Sequence, residues 1–361
     1  STAEINPLFS DSVYIDRLSR IPAIMEMPYN DIIRKFIDMY AGRLRNQVSF
    51  MLSACNFYMP IFEEALDAYG LPLELRYLPI IESALNPSAV SRAGASGLWQ
   101  FMIGTGKIYG LESNSLVDER RDPIKATWAA ARYLKEMYDI YGDWNLVIAA
   151  YNCGPGTINK AIRRANGETD YWKIYNYLPK ETRGYVPAFI AANYVMTYYC
   201  DHNICPMETN IPTSTDTVQV NKNLHFEQIA DLCNVPLDQI KSLNPQYKKQ
   251  MIPGDSKPYT LRLPIDAIST FIDKQDTIYA HRADELFRNR KTVAIKEITP
   301  STRKTTTAVA GKGKLTYYTI KSGDTLSTIA GKYGVTIKDI QRWNGMSNTK
   351  IAAGKRLKIY K

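Results

Sequence analysis

At 361 residues the chain is long enough for two or three domains with real cores. A hydrophobic content of 45% points to a soluble globular protein, and no uninterrupted apolar run reaches membrane-spanning length. The net charge of +9 is uneven: Arg290 to Lys361 holds sixteen Lys/Arg against three Asp/Glu, a surplus of thirteen that leaves −4 for everything before it.

Residues 1–70 read as helices. Asn30 is placed to cap a helix in which Ile33, Phe36, Ile37 and Tyr40 follow the i, i+3, i+4, i+7 pattern, with Gly42 near its end. Tyr58–Tyr69 is a second helix closed by Gly70. These elements suggest packing and no chemistry.

Leu71–Ile103 is the informative stretch. Glu82 stands at the end of an apolar helical run, with Leu78 at i−4 and Leu85 at i+3 on the same face. A carboxylate there is either buried beside a partner or kept for chemistry; burial without a cation raises its pKa, as an acid catalyst requires. Asn86-Pro87 is expected to end the helix, because the residue before proline avoids αR. The small-residue loop 88–97 would let backbone approach a ligand, with Trp99 and Gln100 offering an apolar wall and an amide.

Further on, Asp122-Pro123 starts a helix that runs to about Tyr141-Gly142. Asp143 caps a short apolar helix, Trp144–Ala150, which delivers Tyr151-Asn152 into the turn Cys153-Gly154-Pro155-Gly156. That turn either presents a phenol and an amide to a cleft or is a plain helix end. Glu181–Pro187 opens the last long helix, through to Tyr199.

After Pro206 the composition changes. A strand–helix–helix–strand unit spans 214–265, and the last fifty residues repeat it: Tyr318 and Ile320, Leu326–Tyr333, Ile337–Trp343, Leu357–Ile359. Asp266–Arg290 between the copies looks helical, and Lys291–Lys314, rich in Thr and Lys, reads as a flexible tether.

Five cysteines, at 55, 153, 200, 205 and 233, form neither a C-x-x-C pair nor a metal spacing, and the three histidines are far apart, so no metal site and no cofactor is expected. Cys200 and Cys205 are close enough for a local disulfide; free thiols are the alternative. The basic tail suits nucleic acid, anionic membrane or acidic wall polymer alike. No nucleic-acid motif accompanies it.

Glu82-Ser83 with Asn86-Pro87, then Gly97-Leu98-Trp99-Gln100-Phe101-Met102 and Ala150-Tyr151-Asn152 in order, resemble the lytic transglycosylases of glycoside hydrolase family 23, in the subtype that ends in LysM modules. The segment 181–187 resembles the family's fourth motif, whose tyrosine matches Tyr185. The final copy, with Ser322-Gly323-Asp324-Thr325-Leu326, closely resembles LysM. The earlier copy departs from it, having Asn221-Lys222-Asn223-Leu224 at that turn.

The resemblance implies a mostly α protein: a lysozyme-like all-α catalytic domain over 1–210 (lead-in 1–70, core 71–205), then small βααβ modules at 214–265 and 315–361, joined by 266–314. It implies that Glu82 is the single acid and then base, with a pKa raised to ~6. It would protonate the bond between N-acetylmuramic acid and N-acetylglucosamine, then deprotonate the muramic 6-hydroxyl so that a 1,6-anhydro ring closes without water. Tyr185 would support Glu82, while Ser83, Ser91, Gln100, Tyr151 and Asn152 would bind the sugar. In the LysM unit Gly323, Asp324, Thr325, Leu326 and Ile351 would form a groove for N-acetylglucosamine. The partners implied are peptidoglycan glycan strands and no nucleic acid, for an exported, monomeric cell-envelope enzyme whose signal segment has been removed. Any membrane attachment would come through a segment upstream of Ser1. A goose-lysozyme-type hydrolase, needing a second carboxylate, and an idle wall-binding protein are the alternatives.

Overall fold

The computed structural model describes residues 5–288, 295–299, 315–346 and 348–360. They form two compact units, 1–298 and 299–361.

The first unit opens with α1 (Asp11–Ser19), α2 (Asp31–Ala41) and α3 (Arg45–Ala68). Asn30 caps α2 as its position predicts, its side chain accepting from the amides of Ile32 and Ile33. The helix expected over Tyr58–Tyr69 is the second half of the longer α3, which runs through Pro60. Then follow α4 (Leu78–Ser83), α5 (Ile103–Ile108), α6 (Pro123–Tyr141), α7 (Trp144–Cys153), α8 (Pro155–Arg164), α9 (Tyr171–Ile174), α10 (Lys180–Arg183) and α11 (Tyr185–Tyr198). Asp122 and Asp143 cap α6 and α7, and Gly142 ends α6 in the left-handed region. α11 is apolar all round and buried over Tyr185–Met196, so it serves as the axis on which α2, α3, α4 and α7 pack. This part is all-α.

The strand-bearing part of the unit holds β1 (Thr215–Val220), β2 (Asn223–His225), α12 (Phe226–Cys233), α13 (Leu237–Leu243), β3 (Met251–Pro253) and β4 (Tyr259–Pro264), followed by α14 (Ile265–Asp273), α15 (Gln275–Ala280) and α16 (Ala283–Leu286). β1 pairs antiparallel with β4, Val218 opposite Leu261, and β2 pairs with β3. Its core includes Leu116 and Val117, which come from the helical part. The backbone joins there too: the Asp118 amide donates to the Gln246 carbonyl and the Lys248 amide to the Leu116 carbonyl, both at 2.8 Å.

The second unit is β5 (Leu315–Thr319), α17 (Leu326–Tyr333), α18 (Ile337–Asn344) and β6 (Arg356–Tyr360), with β5 and β6 antiparallel around a core of Ile320, Leu326, Ile329, Ile340, Trp343 and Ile359.

One expectation changes, and one open alternative is decided. Part of the expected tether is tied down: the Ser115 amide donates to the Lys296 carbonyl (2.9 Å), the Ile298 amide to the Ser113 carbonyl (3.1 Å), and Ile295 packs on the core around Leu116. Among its described residues, 295–298 therefore belong to the first unit. Its residues 291–294 and 300–314 lie outside the described ones. Cys200 and Cys205, whose pairing the sequence left open, form no disulfide, and neither do the other three cysteines. No helix among the described residues is long and apolar enough to cross a membrane.

Candidate active site

Glu82 is the next-to-last residue of α4, a helix of only six residues. The helix does not reach Asn86-Pro87. It stops where Ala84 (φ 52°) and Leu85 (φ 58°) enter the left-handed region, and their amides close on the carbonyls of Ile80 and Pro79. Two successive non-glycine residues there store local strain, of order 1–3 kcal/mol each, which the surrounding packing must hold. Leu85 is consequently buried from outside the helix rather than from its face. Ser83, itself buried, sends its hydroxyl to the carbonyls of Leu98 (2.9 Å) and Pro79 (3.0 Å). It ties the end of α4 to the loop behind it.

Burial pushes the Glu82 pKa up to about 7. The hydrogen bond donated by the Tyr185 hydroxyl to Oε1 works against that rise, and the charge of Glu181 adds to it. Among the described residues no cation is one of the groups acting on Glu82. A half-buried carboxyl that keeps its proton near neutral pH has the property needed of a general acid, and its conjugate base remains strong enough to take a proton back.

Tyr185, the first residue of α11, is 8% exposed, and burial together with the Glu82 charge pushes its phenol well above the usual range, so it donates rather than ionises. Tyr151 and Asn152 lie in the last turn of α7, which extends to Cys153, not in the turn after it. Gly154 and Pro155 end the helix one turn later than expected, because Pro155 starts α8. The Tyr151 hydroxyl donates to the Trp99 carbonyl at 2.6 Å, and Asn152 Oδ1 accepts from Thr182 Oγ1 at 2.9 Å, fastening α7 to the approach of α11.

The loop after α4 is held differently from what its small residues suggest. Gly97, at φ 89°, has its missing Cβ aimed at the Arg120 carbonyl, only 1.8 Å from where that carbon would stand; its freedom serves the protein's own backbone, not a ligand's approach. Arg120 pairs with Asp118 and donates to the carbonyls of Gly94 (2.7 Å) and Phe101 (2.9 Å), clamping both ends of the loop. Trp99 is 0% exposed, bonded through Nε1 to Thr127 Oγ1 (2.9 Å) and edge-on to Phe62, so it is core and not a wall of the site. Gln100, at φ 51°, commits Nε2 to the carbonyls of Gly97 (2.8 Å) and Ala89 (3.2 Å), which leaves Oε1 as the end available to a ligand. Ser91 Oγ accepts from the Ala95 amide at 3.0 Å and keeps its hydrogen to give.

A cleft of about 420 Å³ lies against Glu82, lined also by Ser83, Ser91 and Gln100. Tyr151, Asn152 and Tyr185 do not line it. The rest of its wall is Ile80, Ile81 and Ala84, then Ala89 and Val90 of the loop, and Tyr40, Leu44, Gln47 and Met51 from the lead-in expected only to pack. Leu44, Gln47 and Met51 recur at three and four residues, and a lone amide between two hydrophobes on one helix face was the signal available.

In the second unit Gly323 takes φ 88°, and Asp324 Oδ2 accepts from the Tyr318 hydroxyl and the Lys321 amide, both at 2.8 Å, which holds its carboxyl below the usual range. Thr325 caps α17, Leu326 is buried beneath it, and Ile351 packs against the same core.

A carboxyl group beside a cleft is a feature of enzymes that act on glycans, and comparison with known proteins gives the class. Residues 59–174 match the family model of the transglycosylase SLT domain, 318–359 the LysM domain, and 214–280 the LysM-like domain of the lytic transglycosylase MltD. The chain belongs to the lytic murein transglycosylases. It is 32% identical over 341 residues to membrane-bound lytic murein transglycosylase D of Escherichia coli (strain K12), covering 93% of this chain and 70% of that protein. The soluble lytic murein transglycosylase of the same organism is 33% identical over 124 residues, 33% of this chain and 19% of that one. A crystal structure of the 70 kDa soluble lytic transglycosylase of Escherichia coli is 28% identical, covering 41% of this chain and 25% of that chain with a TM-score of 0.35.

Proposed function

We propose that this enzyme cleaves the β-1,4 bond between N-acetylmuramic acid and N-acetylglucosamine of peptidoglycan without water, leaving a 1,6-anhydro end. The observation that carries the reading is Glu82: among the described residues it is the only carboxyl lining the cleft, and it holds its proton near neutral pH. Its proton goes to the glycosidic oxygen as the C1–O bond breaks and the glucosamine leaves. The carboxylate then removes the proton of the muramic 6-hydroxyl, whose oxygen bonds to C1. One carboxyl suffices because the substrate supplies its own nucleophile. Tyr185 acts as a positioning residue, aiming the Glu82 carboxyl by the hydrogen bond it donates. Ser91 and Gln100 meet the sugar in the cleft, while Ser83, Tyr151 and Asn152 hold the walls through their backbone and side-chain bonds.

Hydrolysis of the goose-lysozyme kind needs a second carboxylate to activate water. Glu181 is the other acidic group acting on Glu82, and it does not line the cleft. We assign catalysis to the all-α part, a structural role to 214–288, and attachment to glycan to the 315–361 unit through Gly323, Asp324, Thr325, Leu326 and Ile351. The enzyme would work as a monomer in the cell envelope.

Mass spectrometry of digested peptidoglycan tests the reading. The expected products are one water lighter than hydrolytic ones and vanish in the Glu82→Gln chain, which still folds. Hydrated products from the native chain overturn it in favour of a hydrolase, and no products at all in favour of a binding protein.

A further inference from the structure

The wall of the cleft facing the catalytic loop comes from the corner between α2 and α3. Leu44, Gln47 and Met51 are spaced three and four residues apart, so one face of α3 presents an amide flanked by two apolar side chains. Beside them is Tyr40 at the end of α2, only 7% exposed, with a hydroxyl that has no partner among the described residues. The ring is packed, but the hydroxyl is not among the fully buried atoms without a partner, so it opens on the cleft with a hydrogen to give. The Ser91 hydroxyl and the open Oε1 of Gln100 belong to residues that line the same cleft. Among the described residues no Lys or Arg lines the space, so an anionic group would enter it without a counter-charge from them.

We infer that Tyr40 and Gln47 are specificity-determining residues that read the acetamido group of an N-acetylated sugar ring seated beside Glu82. An acetamido group carries one N–H, one carbonyl and one methyl. Carboxamide oxygens accept from the N–H, the Tyr40 hydroxyl donates to the carbonyl, and Leu44 and Met51 cover the methyl. A ring with a hydroxyl at that carbon leaves the apolar part of the wall unfilled and wets it. The inference rests on the transglycosylase reading only for the polymer the ring belongs to; recognition of the ring stands apart from the bond-breaking chemistry.

The test therefore uses binding. In the full-length Glu82→Gln chain, the methyl signal of Met51 reports occupancy of the cleft without turnover and without interference from the 315–361 unit. It is titrated with the β-1,4 tetramer of N-acetylglucosamine and with the β-1,4 tetramer of glucose. The N-acetylated tetramer is expected to bind at least about tenfold more tightly, the scale of one or two net hydrogen bonds plus a buried methyl. Adding Tyr40→Phe and Gln47→Leu should remove most of that advantage and leave the glucose tetramer within about twofold. Gln47 is exposed and Tyr40→Phe keeps the ring, so the fold is retained; Gln47→Leu alone gives the part of the loss due to the amide. An advantage unchanged in the double variant, or a Met51 signal that neither tetramer moves, overturns the assignment. Neither result bears on whether the native enzyme makes anhydro ends, so the two readings fail separately.

Discussion

The two βααβ units are built on one plan and put to different uses. In each, a first strand pairs antiparallel with the last, and an asparagine at the end of the second helix locks that helix to the last strand. Asn244 donates to the carbonyls of Ile240 and Arg262 and accepts from the Arg262 amide; Asn344 does the same with Ile340 and Lys358. The difference lies in the loops between strand and helix. In the last unit the turn at Gly323–Thr325 is exposed or partly exposed and 348–353 forms no strand. In the first, the equivalent loops are zipped together as β2 and β3. Asn223 and Asp255 bond each other's amides, and Gly254 sits so close to Lys222 that a Cβ would meet its carbonyl oxygen at 2.3 Å. These loops are taken up by each other. That unit also buries Leu116 and Val117 of the helical part. A module that gives its loops to itself and its core to its neighbour has become part of the body.

The most drastic way to break this comparison is to excise each unit. Removing 214–298 uncovers Leu116 and Val117 and frees the Asp118–Arg120 segment that clamps the catalytic loop. The melting temperature should fall by about 10 °C or more and activity should vanish on every substrate. A shortened chain of full activity and unchanged melting temperature would show the unit to be a mere appendage. Ending the chain at Ile298 instead should lower activity on intact sacculi by roughly ten- to a hundredfold, through loss of the second attachment. Turnover of short soluble glycans should stay within about twofold. Equal loss on both substrates would make the last unit part of the catalytic fold. The cut falls at Ile298 because 295–298 are paired with Ser113 and Ser115.

The matching asparagines sharpen the comparison. Asn244 is fully buried and Asn344 is not, so Asn244→Ala should cost about 2–3 kcal/mol and Asn344→Ala about 1 kcal/mol. Hydrogen-exchange protection of β4 and β6 reads the two losses. Equal costs would mean that the shared lock does not feel its surroundings.

The smallest expected difference is none. Activity on soluble glycans should fall as pH rises through about 7, where Glu82 loses the proton it must give, and the midpoint should be the same with or without the last unit. The sign for stability runs the same way. A carboxyl whose pKa rises from 4.5 to about 7 on folding favours the fold while it is protonated, so that contribution is whole below about 4.5 and lost as pH climbs through about 7. A midpoint that moves on truncation would tie the last unit to the chemistry.

Much of this was legible in the sequence because it depends on local rules. Asn30, Asp122 and Asp143 cap their helices as short polar residues before apolar runs do, Gly142 ends α6, and the repeat shows in spacing alone. Glu82 was visible as one charge in an apolar helix, and its partner Tyr185 through resemblance. What local rules could not supply is everything decided by contact between distant segments. Gly97 looked like room for a ligand and is room for Arg120; Trp99 looked like a wall and is core; the lead-in looked like packing and lines the cleft. The first βααβ unit showed in the sequence as a repeat of the last, and only the structure shows Leu116 and Val117 in its core. Sequence by itself determined several helix starts and ends, the strand–helix–helix–strand repeat and which carboxyl was exceptional, because propensity, capping and periodicity act over a few residues. Only the tertiary structure decided which backbone a glycine must admit, which aromatic is buried and which face of α3 lines the cleft, because those are set by close packing between residues far apart in the chain.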